Sequence, residues 1–258
     1  MIHLKTPAEI ELLAQAGRVL ADTFREVAPW VRPGVSTGEL DSRVRECLVA
    51  RGGEPLFFDY DGFPGNSCIS VNDEVVHGIP GRRVLADGDI VTVDIGVRLA
   101  GFCADAAETF LVGEVSERAR RLVDCCRGAL AAGIAACRPG GRISDVSRAV
   151  ETHTRAGGFF VVTTYVGHGI GREMHEDPPV PNFVAARPFE DPVLEPGLVI
   201  AIEPMVTETS ERVRTLADGW TVATVDGGLS CHCEHTVAVT DAGPRVLTLA
   251  PDSAGVAV

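Results

Sequence analysis

An internal duplication is the feature of the sequence that most constrains its fold. Residues 84–94 align without a gap on residues 193–203, and each segment reads as a glycine turn, an apolar strand and a terminal acid, Asp94 or Glu203. A His-Gly-Ile triplet precedes each copy. Such a repeat predicts two half-domains that face each other around a shared, acid-lined centre.

A second, weaker pair of segments extends the repeat. Residues 32–34 and 138–140 are both Arg-Pro-Gly, and each precedes a predicted helix that ends near a pair of glycines. Each half then reads as two helices followed by strands and hairpins, an order typical of an α+β fold with a mostly antiparallel sheet. We therefore predict a single catalytic domain over residues 1–258, with halves of about 1–115 and 116–258 and no N-terminal extension domain.

Periodicity and capping residues place the individual elements. Thr6 with Glu9, and Ser36 with Glu39, form capping boxes at the starts of the first two helices. Helices are predicted at residues 6–28, 35–50, 116–136 and 143–156. Strands are predicted at residues 67–76, 89–97, 102–112, 159–166, 198–206, 212–215, 220–225 and 232–240.

Composition excludes several classes of partner. The formal net charge is −13 and Lys5 is the only lysine, so no basic patch is available for nucleic acid or an anionic membrane. No run of about 18 apolar residues could span a bilayer, and the N-terminus reads as a helix start rather than a signal peptide. The eight cysteines form no CxxC pair, which favours reduced thiols over a disulfide framework or a zinc finger. We expect a cytoplasmic protein.

Two aspartates flank a predicted tight hairpin, and the loop determines how they face each other. A Leu99-Ala100 loop would place Asp94 directly opposite Asp105. An Ala100-Gly101 loop would make the two acids diagonal neighbours on one face of the hairpin. A three-residue loop would put them on opposite faces unless a bulge intervened.

Four acids lie on apolar strands and need compensation. Glu203 follows one apolar run and Glu234 begins another, while Asp94 and Asp105 lie in the hairpin. No lysine or arginine is adjacent to them in sequence, and hard divalent cations with oxygen ligands would compensate their charge. His168 offers a nitrogen ligand, and its flanking glycines would let the backbone turn sharply. Five ligands with bridging carboxylates predict a two-metal site.

These residues belong to motifs by which the chain resembles the type I methionine aminopeptidases over nearly its whole length. The span between His168 and Glu203 is too short for the helical insertion of the type II enzymes. The resemblance implies the "pita-bread" α+β fold, a curved, mostly antiparallel sheet with helices on its outer face and the metal site between pseudo-symmetric halves. The matching motifs are His77-Gly78-Ile79-Pro80, Asp94 with Asp105, Gly167-His168-Gly169-Ile170-Gly171 with His175-Glu176, Ile202-Glu203-Pro204-Met205, Asp218-Gly219-Trp220 and Glu234-His235-Thr236.

The activity that the resemblance implies is removal of the N-terminal methionine from nascent proteins and peptides with a small second residue. A hydroxide bridging two divalent ions (Co, Mn, Fe, Ni or Zn) would attack the first peptide bond. His77 would contact the scissile amide, His175 would stabilise the oxyanion, and Glu203 would also transfer a proton. A monomer acting near the ribosome is implied. The implied metal ligands are Asp94, Asp105, His168, Glu203 and Glu234.

The methionine side chain would bind in an apolar pocket. Met174 replaces an aromatic residue that is common in the family, and its flexible thioether should still accept a methionine side chain. The residues at the positions that match the family's pocket are Tyr60, Phe63, Cys68, Met174 and Trp220.

The segment before Glu234 departs from the family pattern, because His232 and Cys233 stand where glutamine and tyrosine are expected. Strand alternation would place His232 on the same face as Glu234. We hypothesise that His232 lines the cleft and forms hydrogen bonds with the metal ligands; an exposed His232 is the alternative. Cys231 and Cys233 would face away as small buried apolar residues.

Two other functions fit the same fold. An X-Pro aminopeptidase or prolidase-like hydrolase would use a similar centre, although such enzymes usually carry a large N-terminal domain. A non-catalytic protein could use the cleft to bind peptides or partners, although such relatives have lost metal ligands. A metal assay combined with Met-Ala-Ser and Ala-Pro peptides would separate the three.

Overall fold

The computed structural model describes residues 1–184 and 191–249. Its helices are α1 (Pro7–Val27), α2 (Thr37–Ala50), α3 (Glu117–Ala136) and α4 (Ile143–Ala156). Its strands are β1 (Glu54–Pro55), β2 (Cys68–Val71), β3 (Glu74–Val76), β4 (Ile90–Leu99), β5 (Phe102–Leu111), β6 (Phe160–Val161), β7 (Gly167–Gly169), β8 (Glu176–Val180), β9 (Val199–Ile202), β10 (Met205–Thr207), β11 (Val213–Thr215), β12 (Val222–Thr224), β13 (Ser230–His232), β14 (Glu234–Thr240) and β15 (Gly243–Val246).

The helices begin where the capping residues predict. Thr6 caps α1, and the Glu9 side chain accepts a hydrogen bond from the Thr6 backbone in return. Ser36 and Glu39 form the same box at α2, which therefore begins at Thr37 rather than at residue 35. Across the described part of the chain, no helix combines the length and the apolar character that a membrane crossing requires.

The main sheet has nine strands in the order β1-β4-β5-β14-β9-β7-β8, with β2 also paired to β4 and β15 to β14. Every strand pairing in residues 1–184 and 191–249 is antiparallel. The predicted α+β class with a mostly antiparallel sheet is therefore confirmed.

Four predicted strands were too long. Asn72 adopts a positive φ of 61° and ends the first part of the 67–76 segment at a turn. Pro204 has no N–H to continue a ladder, so the 198–206 segment divides into β9 and β10. The 232–240 segment divides at Cys233, and only Phe160–Val161 is a strand within 159–166.

On β4, β9 and β14, the apolar face opposite to the site packs against helices. Val91, Val93 and Ile95 of β4 join an apolar cluster with residues of α1 and α2. Residues of α3 and α4 form a second cluster with Ile200, Ile202 and others from β9 and β14. Because side chains alternate along a strand, Asp94 projects from the face opposite to the helices.

The sequence duplication corresponds to equivalent backbone contacts. The amide of Gly34 donates to the carbonyl of Leu85 at 2.9 Å, and the amide of Gly140 donates to that of Leu194 at 2.9 Å. Gly88 and Gly197, aligned in the repeat, have positive φ angles of 93° and 99°. The two repeated segments therefore enter their strands in the same way, which brings the acid at the end of each to a related position.

Candidate metal centre and pocket

The β4–β5 hairpin places its two aspartates on one face. Its loop is Ala100-Gly101, whose φ angles of 51° and 82° suit a two-residue turn with both residues left-handed. Asp94 consequently pairs with Ala107 rather than with Asp105. The two acids are diagonal neighbours, as the second of the predicted alternatives required.

Glu234 joins the same row of side chains from β14. It pairs with Ala107, so a small residue lies between Glu234 and Asp94 in the sheet. Thr236 locks the two strands together: its hydroxyl accepts from the Asp105 amide at 3.0 Å and donates to the Asp105 carbonyl at 2.8 Å. Three acids from three adjacent strands thereby face one space.

His168 and Glu203 complete the group from the neighbouring strands. His168 Nδ1 lies 2.9 Å from the Gly169 carbonyl oxygen, and its Nε2 lies 3.5 Å from Glu203 Oε1. A hydrogen bond from Nδ1 leaves the Nε2 lone pair directed at the acids, the arrangement usual for a metal-ligating histidine. Asn182 Nδ2 donates to the Glu203 carbonyl at 3.0 Å and holds that backbone in place.

The glycines beside His168 are required for a reason other than the predicted sharp turn of the backbone. Gly167 and Gly169 lie in the extended strand β7, so no sharp turn requires them. A Cβ on Gly167 would lie 2.4 Å from the Ala201 carbonyl oxygen, and one on Gly169 would lie 2.1 Å from that of Asp177. Because the backbone of neighbouring segments approaches Gly167 and Gly169 closely, side chains at these two positions are excluded.

The electrostatics of the site favour neutral acids until a cation compensates them. Burial raises the pKa of Asp94, Glu203 and Glu234, and nearby carboxylates raise it further. Burial also raises the pKa of Asp105, to about 7. Among the described residues, no lysine or arginine forms an ion pair with any of the four.

The donor set fits divalent cations. Asp94 Oδ1, Asp105 Oδ1 and Glu234 Oε1 are buried and have no hydrogen-bond partner in the described part of the chain. Ligand atoms of Asp105, His168 and Glu234 lie within 4.8 Å of one another. Buried carboxylate oxygens without partners, together with one imidazole, are the donors that first-row divalent metals accept.

One cavity of about 250 Å³ contains the candidate residues. Sequence reasoning missed five of its lining residues. Tyr165 and Val76 lie close in sequence to the predicted histidines, and Met205 belongs to a recognised motif, but no pattern marks Phe57 or Val166. The predicted lining residues are Asp94, Asp105, His168, Glu203, Glu234, His77, His175, Tyr60, Phe63, Cys68, Met174 and Trp220.

Part of the cavity lining is apolar. Phe63, Cys68 and Met174 are buried together in one small cluster with Phe57. The Trp220 ring meets Phe63 edge to face, with centroids 5.2 Å apart. The loop of Trp220 is held by Asp218, whose carboxylate accepts from the Trp220 amide at 2.9 Å. The resulting pocket offers soft, apolar walls to a side chain.

His175 is held as a neutral imidazole of defined tautomer. Burial lowers its pKa, and burial raises the pKa of the Tyr60 phenol, which lies 2.8 Å from His175 Nδ1. A protonated phenol beside a neutral imidazole donates to Nδ1, and the ring proton of His175 then resides on Nε2. Tyr60 therefore prepares His175 as a hydrogen-bond donor.

Tyr60→Phe is expected to lower kcat for a Met-Ala peptide by about tenfold while KM changes little, because loss of one hydrogen bond releases the tautomer of His175. Steady-state kinetics measure this. Tyr165→Phe is the matched control, since that ring lines the same cavity but its hydroxyl forms no hydrogen bond within the described residues. Equal effects of the two substitutions would contradict the assigned role.

Three further contacts position the histidines. Lys5 Nζ lies 2.7 Å from Glu176 Oε2 in a buried ion pair. Glu176 Oε1 also accepts from the Arg172 amide at 2.9 Å, so the loop that carries His175 is fixed at its base. His77 has a positive φ of 59°, and its ring packs edge to face on Tyr165.

Three thiols lie behind the acid-bearing strands. Cys231 and Cys233 are buried, as predicted, with their sulfurs 4.0 Å apart. Cys126 of α3 adds a third sulfur, all within 4.8 Å of one another. They pack in the apolar core under α3.

His232 is 2% exposed, so the alternative of an exposed side chain is wrong. Its Nε2 lies 3.8 Å from Glu203 Oε2 and 4.0 Å from Glu234 Oε2. The side chain faces the acids, but neither distance is a hydrogen bond, so the hypothesised hydrogen bonds to the metal ligands do not form among the described residues. His232 also lies outside the set of residues that line the cavity.

Comparison with known proteins agrees with this geometry. The sequence pattern of metallopeptidase family M24 matches residues 11–241. A methionine aminopeptidase of Clostridium perfringens is 49% identical over 96% of this chain and 99% of its own length, and methionine aminopeptidase 1 of Bacillus subtilis is 46% identical over the same shares. The crystal structure of a methionine aminopeptidase from Thermotoga maritima superposes with a TM-score of 0.94 at 43% identity, covering 97% of this chain and all of that one.

Proposed function

The chain belongs to metallopeptidase family M24, and we propose on that basis that it removes the N-terminal methionine from peptides and nascent proteins. The observation that carries the proposal is one cavity with two ends. Buried carboxylates and His168 form one end, and the apolar pocket around Phe63 and Trp220 forms the other. A free amino terminus and a methionine side chain match these two ends.

The acidic end would hold two divalent cations on Asp94, Asp105, His168, Glu203 and Glu234. When bound, such cations lower the pKa of a coordinated water to near neutrality and polarise the scissile carbonyl. The free α-amino group of a substrate would also bind at this end of the cavity, which would restrict hydrolysis to the first peptide bond. Whether Co, Mn, Fe, Ni or Zn is used depends on availability as well as on the ligands.

The remaining polar residues would handle protons and the developing charge. His175, with its proton on Nε2, would donate to the oxyanion. His77 would contact the scissile amide, held in position by the ring of Tyr165. Glu203 has one oxygen facing His168 and one facing His232, and its carboxylate would also take and return a proton.

The size of the cavity supports a small second residue. Its volume of about 250 Å³ is below the roughly 300–1,000 Å³ of typical small-molecule sites. A methionine side chain and the reacting bond would occupy most of it, leaving little room for a bulky second side chain. We propose that this monomer acts in the cytoplasm near the ribosome, with residues 1–258 as its single catalytic domain.

Peptide hydrolysis by the metal-loaded protein tests the function. We expect release of methionine from Met-Ala-Ser, much slower release from Met-Leu-Ser, and no cleavage of Ala-Pro. Preferential cleavage of Ala-Pro would favour the X-Pro alternative. Binding of Met-Ala-Ser without hydrolysis under any of the five metals would favour the non-catalytic alternative.

A further inference from the structure

His232 is the buried polar side chain near the cavity that the proposed mechanism does not use. Within residues 1–184 and 191–249, neither of its ring nitrogens has a hydrogen-bond partner. A buried polar group without a partner costs about 1–3 kcal/mol, and such a group in a folded protein calls for a ligand such as an ion or a water. The unpaired ring nitrogens of His232 therefore indicate a missing partner.

The distances around His232 exclude direct hydrogen bonds to the neighbouring carboxylates and leave room for a shared ligand. Its Nε2 lies 3.8 Å from Glu203 Oε2 and 4.0 Å from Glu234 Oε2. Both distances exceed those of hydrogen bonds. Two donors that each lie about 2.1 Å from one cation can be up to about 4.2 Å apart. Both separations thus permit a cation to be shared between the imidazole and each carboxylate.

Glu203 lies between two imidazoles. Its Oε1 faces His168 Nε2 at 3.5 Å, and its Oε2 faces His232 Nε2 at 3.8 Å. The geometry that makes His168 a candidate ligand is therefore repeated on the other oxygen of the same carboxylate. The glutamine expected at position 232 would present an amide, whereas the imidazole of this chain is a stronger donor for transition metals.

We propose that His232 is an additional metal ligand, which binds a cation of the centre through Nε2. The inference rests on the proposed metallopeptidase function and concerns a residue in which this chain departs from the family pattern. A second imidazole would shift the preference of the site from Mn²⁺ towards Zn²⁺, Ni²⁺ and Fe²⁺, because nitrogen donors suit those ions better than purely oxygen sites do.

The number of coordinated imidazoles tests the proposal. In ¹H NMR of the Co²⁺-loaded full-length protein, each coordinated imidazole contributes one exchangeable ring N–H signal that is shifted far from the diamagnetic range. We expect two such signals in the wild type and one in His232→Gln. We also expect the substitution to weaken Zn²⁺ binding by at least about tenfold in a competition assay, with a much smaller effect on Mn²⁺.

His235→Gln is the matched control. His235 neighbours Glu234 on the same strand, but its Nδ1 contacts the Thr248 hydroxyl at 2.8 Å, so both shifted signals should persist. A single shifted signal in the wild type overturns the proposal. Because this number is measured on the wild type, the test does not depend on whether His232→Gln folds. Turnover of Met-Ala-Ser with one signal would leave the proposed function intact, whereas two signals without turnover would retain the ligand and refute the function.

Discussion

Asp105→Asn is expected to lower kcat/KM for Met-Ala-Ser by more than about a hundredfold. Replacing residues that only orient metal ligands typically costs 10–100-fold in affinity or activity, so loss of a ligand should exceed that range. Asparagine has nearly the same shape but no charge, and Asp105 Oδ1 has no hydrogen-bond partner to lose among the described residues. The fold should therefore persist while metal binding fails.

Elemental analysis after metal loading, together with steady-state kinetics, measures both effects. Asp124→Asn provides the control, because Asp124 is exposed on the outer helix α3 and its substitution should change neither. Full turnover by Asp105→Asn would refute the ligand assignment. Lost turnover with unchanged metal content would instead assign Asp105 a role other than ligation.

The metal-free protein is expected to lose stability as the pH rises from about 6.5 to 8. Below about 6.5 the buried His168, His232 and His235, whose pKa burial lowers to about 4, act in the opposite direction, because the unfolded chain binds protons that the native histidines lack. The ordinary pKa of an aspartate, 3.8, is raised by burial to about 7 at Asp105, so the native state retains a proton that the unfolded chain has released. Stability falls with pH wherever the native state binds more protons. Asp94, Glu203 and Glu234, whose pKa values are raised by burial and by neighbouring carboxylates, act in the same direction.

Divalent cations should remove most of this loss, because a ligand that binds only the native state stabilises it by mass action. Urea unfolding at pH 5, 6, 7 and 8, with chelator or with Co²⁺, measures the effect. Hydrogen bonds from Ser36 lower the pKa of the surface acid Glu39. Protonation of such surface acids therefore changes the stability only at lower pH, outside the range tested. The stability of metal-free Asp105→Asn should fall less steeply with pH. A metal-free wild type that is most stable at pH 8 would contradict the explanation.

The family, the fold class and the candidate residues were accessible from sequence because each has a local signature. Capping boxes at Thr6 and Ser36 predicted helix starts to within two residues. The repeat predicted paired strand entries, which the equivalent contacts of Gly34 and Gly140 bear out. For Asp94 and Asp105, alternation along the strands reduced the possible arrangements to three, one for each loop length or position, since side-chain direction has a period of two residues.

Strand breaks were harder to predict than strand positions. The turn at Asn72 depends on a left-handed backbone that a polar residue tolerates, and its side chain is held there by Asp89 and the Ile90 amide. The division at Cys233 has no local sequence signal. Such interruptions are decided by contacts with neighbouring strands, which propensity along the chain does not register.

By itself, the sequence determined which side chains are available to the site and that they alternate between the two faces of each strand. Tertiary structure alone decided the Ala100-Gly101 hairpin register, the Tyr60–His175 hydrogen bond, the Lys5–Glu176 ion pair and the two carboxylates that His232 faces. Local patterns record backbone preferences over a few residues. Distances between groups on different strands and loops depend instead on how those elements pack.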